Sequence, residues 1–195
     1  MNYNLVKFTM SAGTAKQLPE PGRPEIAFVG RSNVGKSSLM NKLFGRKDLV
    51  KVSSKPGKTT TINFFAIGGT DFVDLPGYGF ARVNGTEQER WANLMDGYFE
   101  GERNLKLVVA LVDIRHDASP LDIQMIDYLD SLELPYCVAF TKADKFSRSK
   151  GLSQAANLRR QLELAPETPW VLVSSTAGTG IGELKDTIEK ALRTN

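Results

Sequence analysis

The chain of 195 residues has one cysteine, Cys137, and one histidine, His116. A single thiol cannot close an internal disulfide, and the two residues supply no Cys/His set for a zinc site. Long apolar runs are also missing. Nothing approaches the roughly 20 apolar residues that a membrane helix needs, and residues 1–8 lack the charged start and apolar core of a secretory signal. A cytoplasmic chain without a membrane span is expected. Net charge is small: 25 Lys and Arg stand against 22 Asp and Glu, giving +3, with 41% hydrophobic and 24% charged residues. Those proportions exclude a disordered chain, and the length suits one ordinary domain.

The small net charge hides an uneven distribution. Residues 1–60 carry 11 basic and 3 acidic side chains, whereas residues 61–195 carry 14 and 19. A basic first third suits a polyanion such as RNA, and equally a solvated surface with a few lysines committed to one phosphate ligand.

Hydrophobic periodicity orders the chain. Residues 1–23 are polar, contain Pro19, Pro21 and Gly22, and read as an arm without strong structure; residues 24–195 read as a single domain. Residues 25–29 form an apolar run typical of a strand buried on both faces, followed by glycine and a helical stretch. A polar loop over 51–61 leads to a strand at 62–67, and Gly68-Gly69-Thr70 separates it from a strand around 72–75. Thr86 and Glu89 make a capping-box pattern ahead of an apolar stripe of Trp91, Leu94, Met95, Tyr98 and Phe99. Further strands at 105–112, 136–140 and 170–173 alternate with helices, one of which opens on Ser119-Pro120-Leu121-Asp122. The expected fold is α/β, a three-layer α/β/α domain with a mostly parallel six-stranded sheet, one antiparallel edge strand, and helices on both faces.

In an open parallel sheet ligands bind beyond the carboxyl ends of the strands. After the first such strand comes Gly30-Arg31-Ser32-Asn33-Val34-Gly35-Lys36-Ser37-Ser38, which fits the phosphate-loop pattern in its strand-to-helix context. The glycines let backbone N–H groups curl toward phosphates, Lys36 neutralises β and γ oxygens, and Ser37 offers a hydroxyl to Mg²⁺. Asp74-Leu75-Pro76-Gly77 ends a strand where a carboxylate can hold the Mg²⁺ shell through water and a glycine N–H can reach a γ-phosphate. Between them, Gly57-Lys58-Thr59-Thr60-Thr61 provides hydroxyls able to meet the metal only when the loop folds over the ligand. Thr141-Lys142-Ala143-Asp144 follows another strand. Its aspartate can accept both N1–H and N2–H of guanine, which adenine cannot satisfy, and the Lys142 stem can lie along the base. Ser174-Ser175-Thr176 supplies N–H groups for guanine O6. Together the loops converge on GTP or GDP with Mg²⁺.

These motifs, with Pro56-Gly57-Lys58-Thr59, Asp74-Leu75-Pro76-Gly77-Tyr78-Gly79 and Thr141-Lys142-Ala143-Asp144-Lys145, resemble the bacterial EngB (YihA/YsxC) family of the TrmE-Era-EngA-EngB-like GTPases. The resemblance spans nearly the whole chain. It implies a GTPase that assists maturation of the large (50S) ribosomal subunit, a precursor of rRNA and ribosomal proteins being its partner, and that is needed for normal cell division and septation. It also implies Ser37, Thr59 and Asp74 around the metal and Lys36, Thr59 and Gly77 in the catalytic roles. Thr141 replaces the more widespread asparagine, which is expected to weaken a tie to the phosphate loop. At this length neither a second GTPase domain nor an appended RNA-binding domain is expected, and a monomer is expected.

Tyr78 occupies the place where many GTPases keep the glutamine that orients the attacking water. Slow hydrolysis is therefore expected, with activation by the ribosomal particle or by K⁺. Asn33 motivates the second, because relatives with asparagine there coordinate potassium; a turn residue tolerant of unusual backbone angles is the plainer reading. Cys137 reads as a small buried hydrophobe and His116 as a surface residue. Lys142, Lys145, Arg148, Lys150, Arg159 and Arg160 face one acid, Asp144, and together with the basic N-terminal third could form an rRNA-facing surface, or equally a solvated helix face. Two further function classes stay open: a structural protein holding GDP passively, and a phosphotransferase built on the same loop.

Overall fold

Every residue of the strand Glu25–Gly30 is buried, and its apolar side chains divide by parity. Ile26 and Phe28 enter one apolar layer, while Ala27 and Val29 enter the other. A backbone of period two with apolar residues at successive positions belongs in the middle of a sheet covered on both faces. The computed structural model, which describes residues 1–51, 60–79 and 85–194, places it there. Among the described residues the strands are β1 Lys7–Ala12, β2 Glu25–Gly30, β3 Ile62–Ile67, β4 Thr70–Asp74, β5 Leu105–Asp113, β6 Tyr136–Thr141 and β7 Trp170–Leu172. The helices are α1 Lys36–Leu43, α2 Gly85–Phe99, α3 Pro120–Ser131, α4 Arg148–Gln161 and α5 Ile181–Arg193. The strand order is β1-β3-β4-β2-β5-β6-β7. Leu39, Met40 and Leu43 of α1 with Leu184 and Ile188 of α5 cover one face; Leu94, Met125 and Leu158 of α2, α3 and α4 cover the other. The expected three-layer α/β/α architecture is the observed one.

Two details of the sheet differ from expectation. It has seven strands instead of six, because β1 arises within residues 1–23. Its outer residues Lys7, Phe8 and Thr9 are exposed, and the register shifts between Phe8 and Met10, so no clean alternation marks it. The one strand that opposes the others, β3, is also not an edge: it pairs antiparallel with both β1 and β4, while β4, β2, β5, β6 and β7 pair in parallel.

The first residues pack rather than hang free. Tyr3 and Val6 are buried, and the Tyr3 ring meets Phe72 edge-on at 5.8 Å. Deeper in, Glu25 is 2% exposed and accepts hydrogen bonds from Arg103 Nε at 2.9 Å and the Tyr98 hydroxyl at 2.8 Å. Arg103 Nη1 donates to Pro19 O at 3.0 Å, so one guanidinium joins β2, α2 and the segment between β1 and β2. Burial and Glu25 together push the Tyr98 hydroxyl well above its ordinary pKa.

Helix starts follow local chemistry. Ser119 caps α3 through a capping box with Asp122, as its sequence predicts. α2 begins at Gly85, so Thr86 lies in its first turn and not ahead of it. After α1 the side chain of buried Asn41 acts as a strand partner for Val50: Nδ2 donates to Val50 O at 2.7 Å, and Oδ1 accepts from Val50 N at 2.8 Å.

Candidate functional site

The turn between β2 and α1 is shaped by space as well as by dihedral angle. A Cβ on Gly30 would stand 2.8 Å from Val34 Cγ1 and 3.1 Å from Leu111 Cβ. Asn33 (φ 66°) and Gly35 (φ 100°) are left-handed, which reverses the chain into α1 and leaves the helix's first N–H groups without helical partners. The asparagine thus does serve as a turn residue. The turn is laced to the segment after β4: Ser32 N donates to Tyr78 O at 2.8 Å, and Tyr78 N donates to Gly30 O at 3.2 Å. Ser32 Oγ is buried and has no hydrogen-bond partner among the described residues.

Lys36 and Asp74 meet across this turn. The ammonium of Lys36 sits on Asp74 Oδ1, both side chains about a tenth exposed at 11% and 10%. Asp74 Oδ2 accepts from Asn63 Nδ2 at 3.5 Å, and the Ser37 hydroxyl donates to Lys51 O at 3.3 Å. Gly77 lies so near the turn that a Cβ there would be 3.2 Å from both Ser32 N and Ser32 Oγ. Trp91 of α2 donates from Nε1 to Pro76 O at 3.4 Å, and Leu75 N donates to Phe28 O at 3.0 Å. Tyr78 points away, toward α3: its hydroxyl donates to Asp122 at 3.0 Å. Burial, reinforced by Asp122, raises the Tyr78 pKa far above the ordinary phenol.

The segment after β6 is bound to the same turn. Thr141 is buried, and its hydroxyl donates to Val34 O at 2.9 Å, so the tie expected to weaken with threonine is present as a short hydrogen bond. Lys142, itself left-handed at φ 62°, donates from Nζ to Asn33 O at 3.1 Å and pairs with Asp113 at 2.9 Å. Ala143 N donates to Val173 O at 3.1 Å, tying the turn to β7. Burial acts to raise the Asp113 carboxyl, yet hydrogen bonds from Arg115 and Lys142 together outweigh it and hold the group well below the usual carboxylate range. Asp113 was not among the residues the sequence singled out, although a carboxylate at the end of a parallel strand is a usable signal. Asp144 accepts the Ser174 hydroxyl at 2.7 Å, and Ser174 Oγ in turn accepts Ala177 N at 3.0 Å. The Ser174 bond, partly opposed by burial, lowers the Asp144 carboxyl below its usual value.

Residues 30–38, 74–77, 141–144 and Ser174 therefore form one connected site at the carboxyl edge of the sheet. Ser175 is half-buried and Thr176 exposed in the turn that follows. Thr61 bonds Asn63 at 3.2 Å, and Thr60 lines a groove of about 630 Å³ with Arg31 and Tyr78. Gly57, Lys58 and Thr59 lie outside the described residues. The basic run of 142–160 is largely occupied elsewhere. Lys142 and Lys145 pair with Asp113 and Asp144, Lys150 lies over Phe146 at 4.4 Å, and Arg159 lies over Trp170 at 5.5 Å.

Among the described residues no three His, Cys, Asp or Glu side chains converge. The hard oxygen set of Ser37 and Asp74 fits a magnesium ion that keeps water and phosphate in its shell. No helix among the described residues is long and apolar enough to cross a membrane.

Residues 25–142 match the family model described as 50S ribosome-binding GTPase. The chain is 46% identical over 184 residues to a probable GTP-binding protein EngB of Geobacillus kaustophilus, covering 94% of each chain. It is 42% identical over 189 residues to a protein of the same name from Streptococcus agalactiae, covering 96% of each. Among solved structures, a probable GTP-binding protein engB superposes with a TM-score of 0.73 at 26% identity, over 88% of this chain and 100% of that one. Aquifex aeolicus Era bound to GDP and aluminium fluoride shares the fold, with a TM-score of 0.67 at 23% identity over 87% of this chain and 57% of that one.

Proposed function

The chain belongs to the EngB family of GTP-binding proteins and carries its GTPase domain, and on that premise we propose that it is a magnesium-dependent switch whose guanine-nucleotide state sets its attachment to a precursor of the large ribosomal subunit. The observation that carries this reading is the joining of two motifs far apart in sequence. Thr141 and Lys142 bond the carbonyl oxygens of Val34 and Asn33, so a base held by Asp144 and a phosphate chain held by residues 30–38 belong to one ligand.

In this mechanism Lys36 leaves Asp74 for the β and γ oxygens of the triphosphate, and the loop N–H groups with the α1 N-terminus meet the remaining phosphate charge. Ser37 and Thr59 would hold magnesium directly and Asp74 through water; when bound, the ion neutralises charge developing between the β and γ oxygens. Gly77 offers its N–H to the γ-phosphate. Its departure or return would shift Pro76, and with it Trp91 and α2. Asp144 accepts N1–H and N2–H of guanine, a pair adenine lacks, while N–H groups of residues 174–176 meet O6.

Tyr78 has no side-chain amide to orient the attacking water, and its hydroxyl is committed to Asp122. Hydrolysis by the isolated protein is slow, and the ribosomal particle or a potassium ion beside Asn33 accelerates it. Failure of division and septation follows loss of the protein in cells. The protein acts as a cytoplasmic monomer.

The test is co-sedimentation of large-subunit precursors with the protein loaded with GDP or a non-hydrolysable GTP analogue. Retention in the GTP-like state and release with GDP is expected. Equal retention in both states removes the switch, and equal calorimetric affinity for guanosine and adenosine nucleotides removes the site.

A further inference from the structure

We infer that the outer edge of the sheet, at the far side from the base-binding turn, is a docking surface for single-stranded RNA. The inference rests on the ribosomal reading and adds to it the face that meets rRNA. β1 is the edge strand, and a groove of about 970 Å³ runs between it, the turn after α1 and the β3–β4 hairpin. Lys7, Arg23 and Arg46 line it, and no acid does. Lys7 and Arg46 are exposed and have no ionic partner among the described residues. Arg23 pairs with Asp71 at 3.4 Å and donates to Gly68 O at 2.6 Å, yet its side chain remains 45% exposed, so its charge is held in place at the rim. Lys47 adds a further exposed cation beside Arg46; Asp48 is the acid of that turn.

Apolar surface lies within this cationic rim. Phe8 is 51% exposed and Leu5 65%. Phe8 meets Phe65 edge-on at 5.7 Å, which anchors the ring against the sheet while half of it stays in water. A scattered exposed phenylalanine needs no explanation. One anchored in a groove whose charged lining is wholly basic asks for a ligand that is both anionic and aromatic. Single-stranded nucleic acid has that chemistry: phosphates follow the cations, and an unpaired base stacks on the ring. A duplex has its bases already stacked inside and offers Phe8 nothing. An acidic protein segment satisfies the cations but leaves the ring without a stacking partner.

The experiment measures fluorescence anisotropy of labelled oligouridylate, about 12 nucleotides long, with the full chain over a range of KCl concentrations. A hairpin RNA duplex and polyglutamate are the comparison probes. Lys7→Glu with Arg46→Glu is expected to weaken single-strand binding at least tenfold and to flatten the salt slope by about 1.4, near 0.7 for each lost phosphate contact. Phe8→Ala is expected to weaken it about five- to a hundredfold with the slope unchanged. Nucleotide affinity should stay at the wild-type value in all variants, and melting temperature should hold in Lys7→Glu with Arg46→Glu; Phe8→Ala, which gives up the contact with Phe65, is read at a temperature where it remains folded. Wild-type RNA binding by the variants overturns the proposal. So does equal binding of duplex and single strand, and so does competition by polyglutamate as strong as by oligouridylate. Sedimentation with large-subunit precursors separates the two readings. Particle binding that survives both variants overturns the surface and leaves the ribosomal role. Absence of particle binding in every nucleotide state, with single-strand binding still lost in the variants, overturns the ribosomal role and leaves the surface.

Discussion

The ammonium of Lys36 rests on the carboxylate of Asp74. The two charges that the proposed ligand needs, one for phosphate and one for the metal shell, thus neutralise each other without it. Removing one partner of a nearly buried pair strands the other, at a cost of about 3–5 kcal/mol. Asp74→Asn should therefore lower the melting temperature of the nucleotide-free protein. It should also enlarge the thermal shift produced by GDP without magnesium, because phosphate becomes the only partner for Lys36. Lys36→Ala should weaken GDP about ten- to a hundredfold, the worth of a charge-assisted hydrogen bond. Thermal melts and calorimetry check both, and an unchanged GDP shift in Asp74→Asn would contradict the exchange of partners.

In the proposed site, guanine would be selected by a carboxylate that accepts two hydrogen bonds from one edge of the base. Asp144→Asn replaces one acceptor with a donor. GTP affinity should fall by about a hundredfold or more, since an unpaired donor then faces another donor, while xanthosine triphosphate, whose edge carries an acceptor in that place, should gain. Competition of labelled GTP by both nucleotides measures the exchange.

Tyr78 invites a catalytic reading because of its position, and its geometry argues against one. Tyr78→Phe should leave GTP turnover within twofold while lowering stability by about 1–3 kcal/mol, through loss of a buried hydrogen bond to Asp122. A large fall in turnover at unchanged stability would give the hydroxyl a chemical role.

Asp113 titrates below the ordinary carboxylate in the folded chain. A depressed folded pKa means that its contribution to stability is complete above the unfolded value of about 3.9 and is lost as pH falls below it. Wild type should accordingly lose more stability than Asp113→Asn between about pH 5 and pH 3. Urea midpoints across that window read the difference, and parallel curves would refute it.

Potassium is the remaining question for hydrolysis. A cation beside Asn33 should make turnover faster in KCl than in NaCl at equal ionic strength, and Asn33→Asp should retain the left-handed turn while altering that ratio. Equal rates in the two salts would leave the ribosomal particle as the activator.

The turns that the structure brings together were legible in the sequence because their signals are local. Gly30, Gly35 and Lys36 act through spacing within one turn, and Asp74 and Asp144 each end or follow an apolar run. What escaped depends on pairing at long range. Asp113 acquires its role only when Lys142 reaches it, and Glu25, Tyr98 and Arg103 meet across more than seventy positions. β1 escaped for a different reason: a bulged edge strand with one wet side and exposed Phe8 has neither the alternation nor the continuous burial that marks a strand. The opposing strand β3 was found, but its place inside the sheet could not be seen without β1.

Asn41 and β3 together act as two moorings. Upstream, an amide side chain grips both backbone groups of Val50; downstream, Ile62 is stitched on one side to Ala12 and begins a strand with a second neighbour in β4. Whatever conformation the intervening chain takes, its ends stay put, like a rope of fixed length tied at both quays. Rearrangement there need not propagate into the sheet, and the reach of that stretch is set by its residue count. Inserting or deleting a residue between positions 51 and 61 should alter timing and fit at the ligand while leaving the architecture intact.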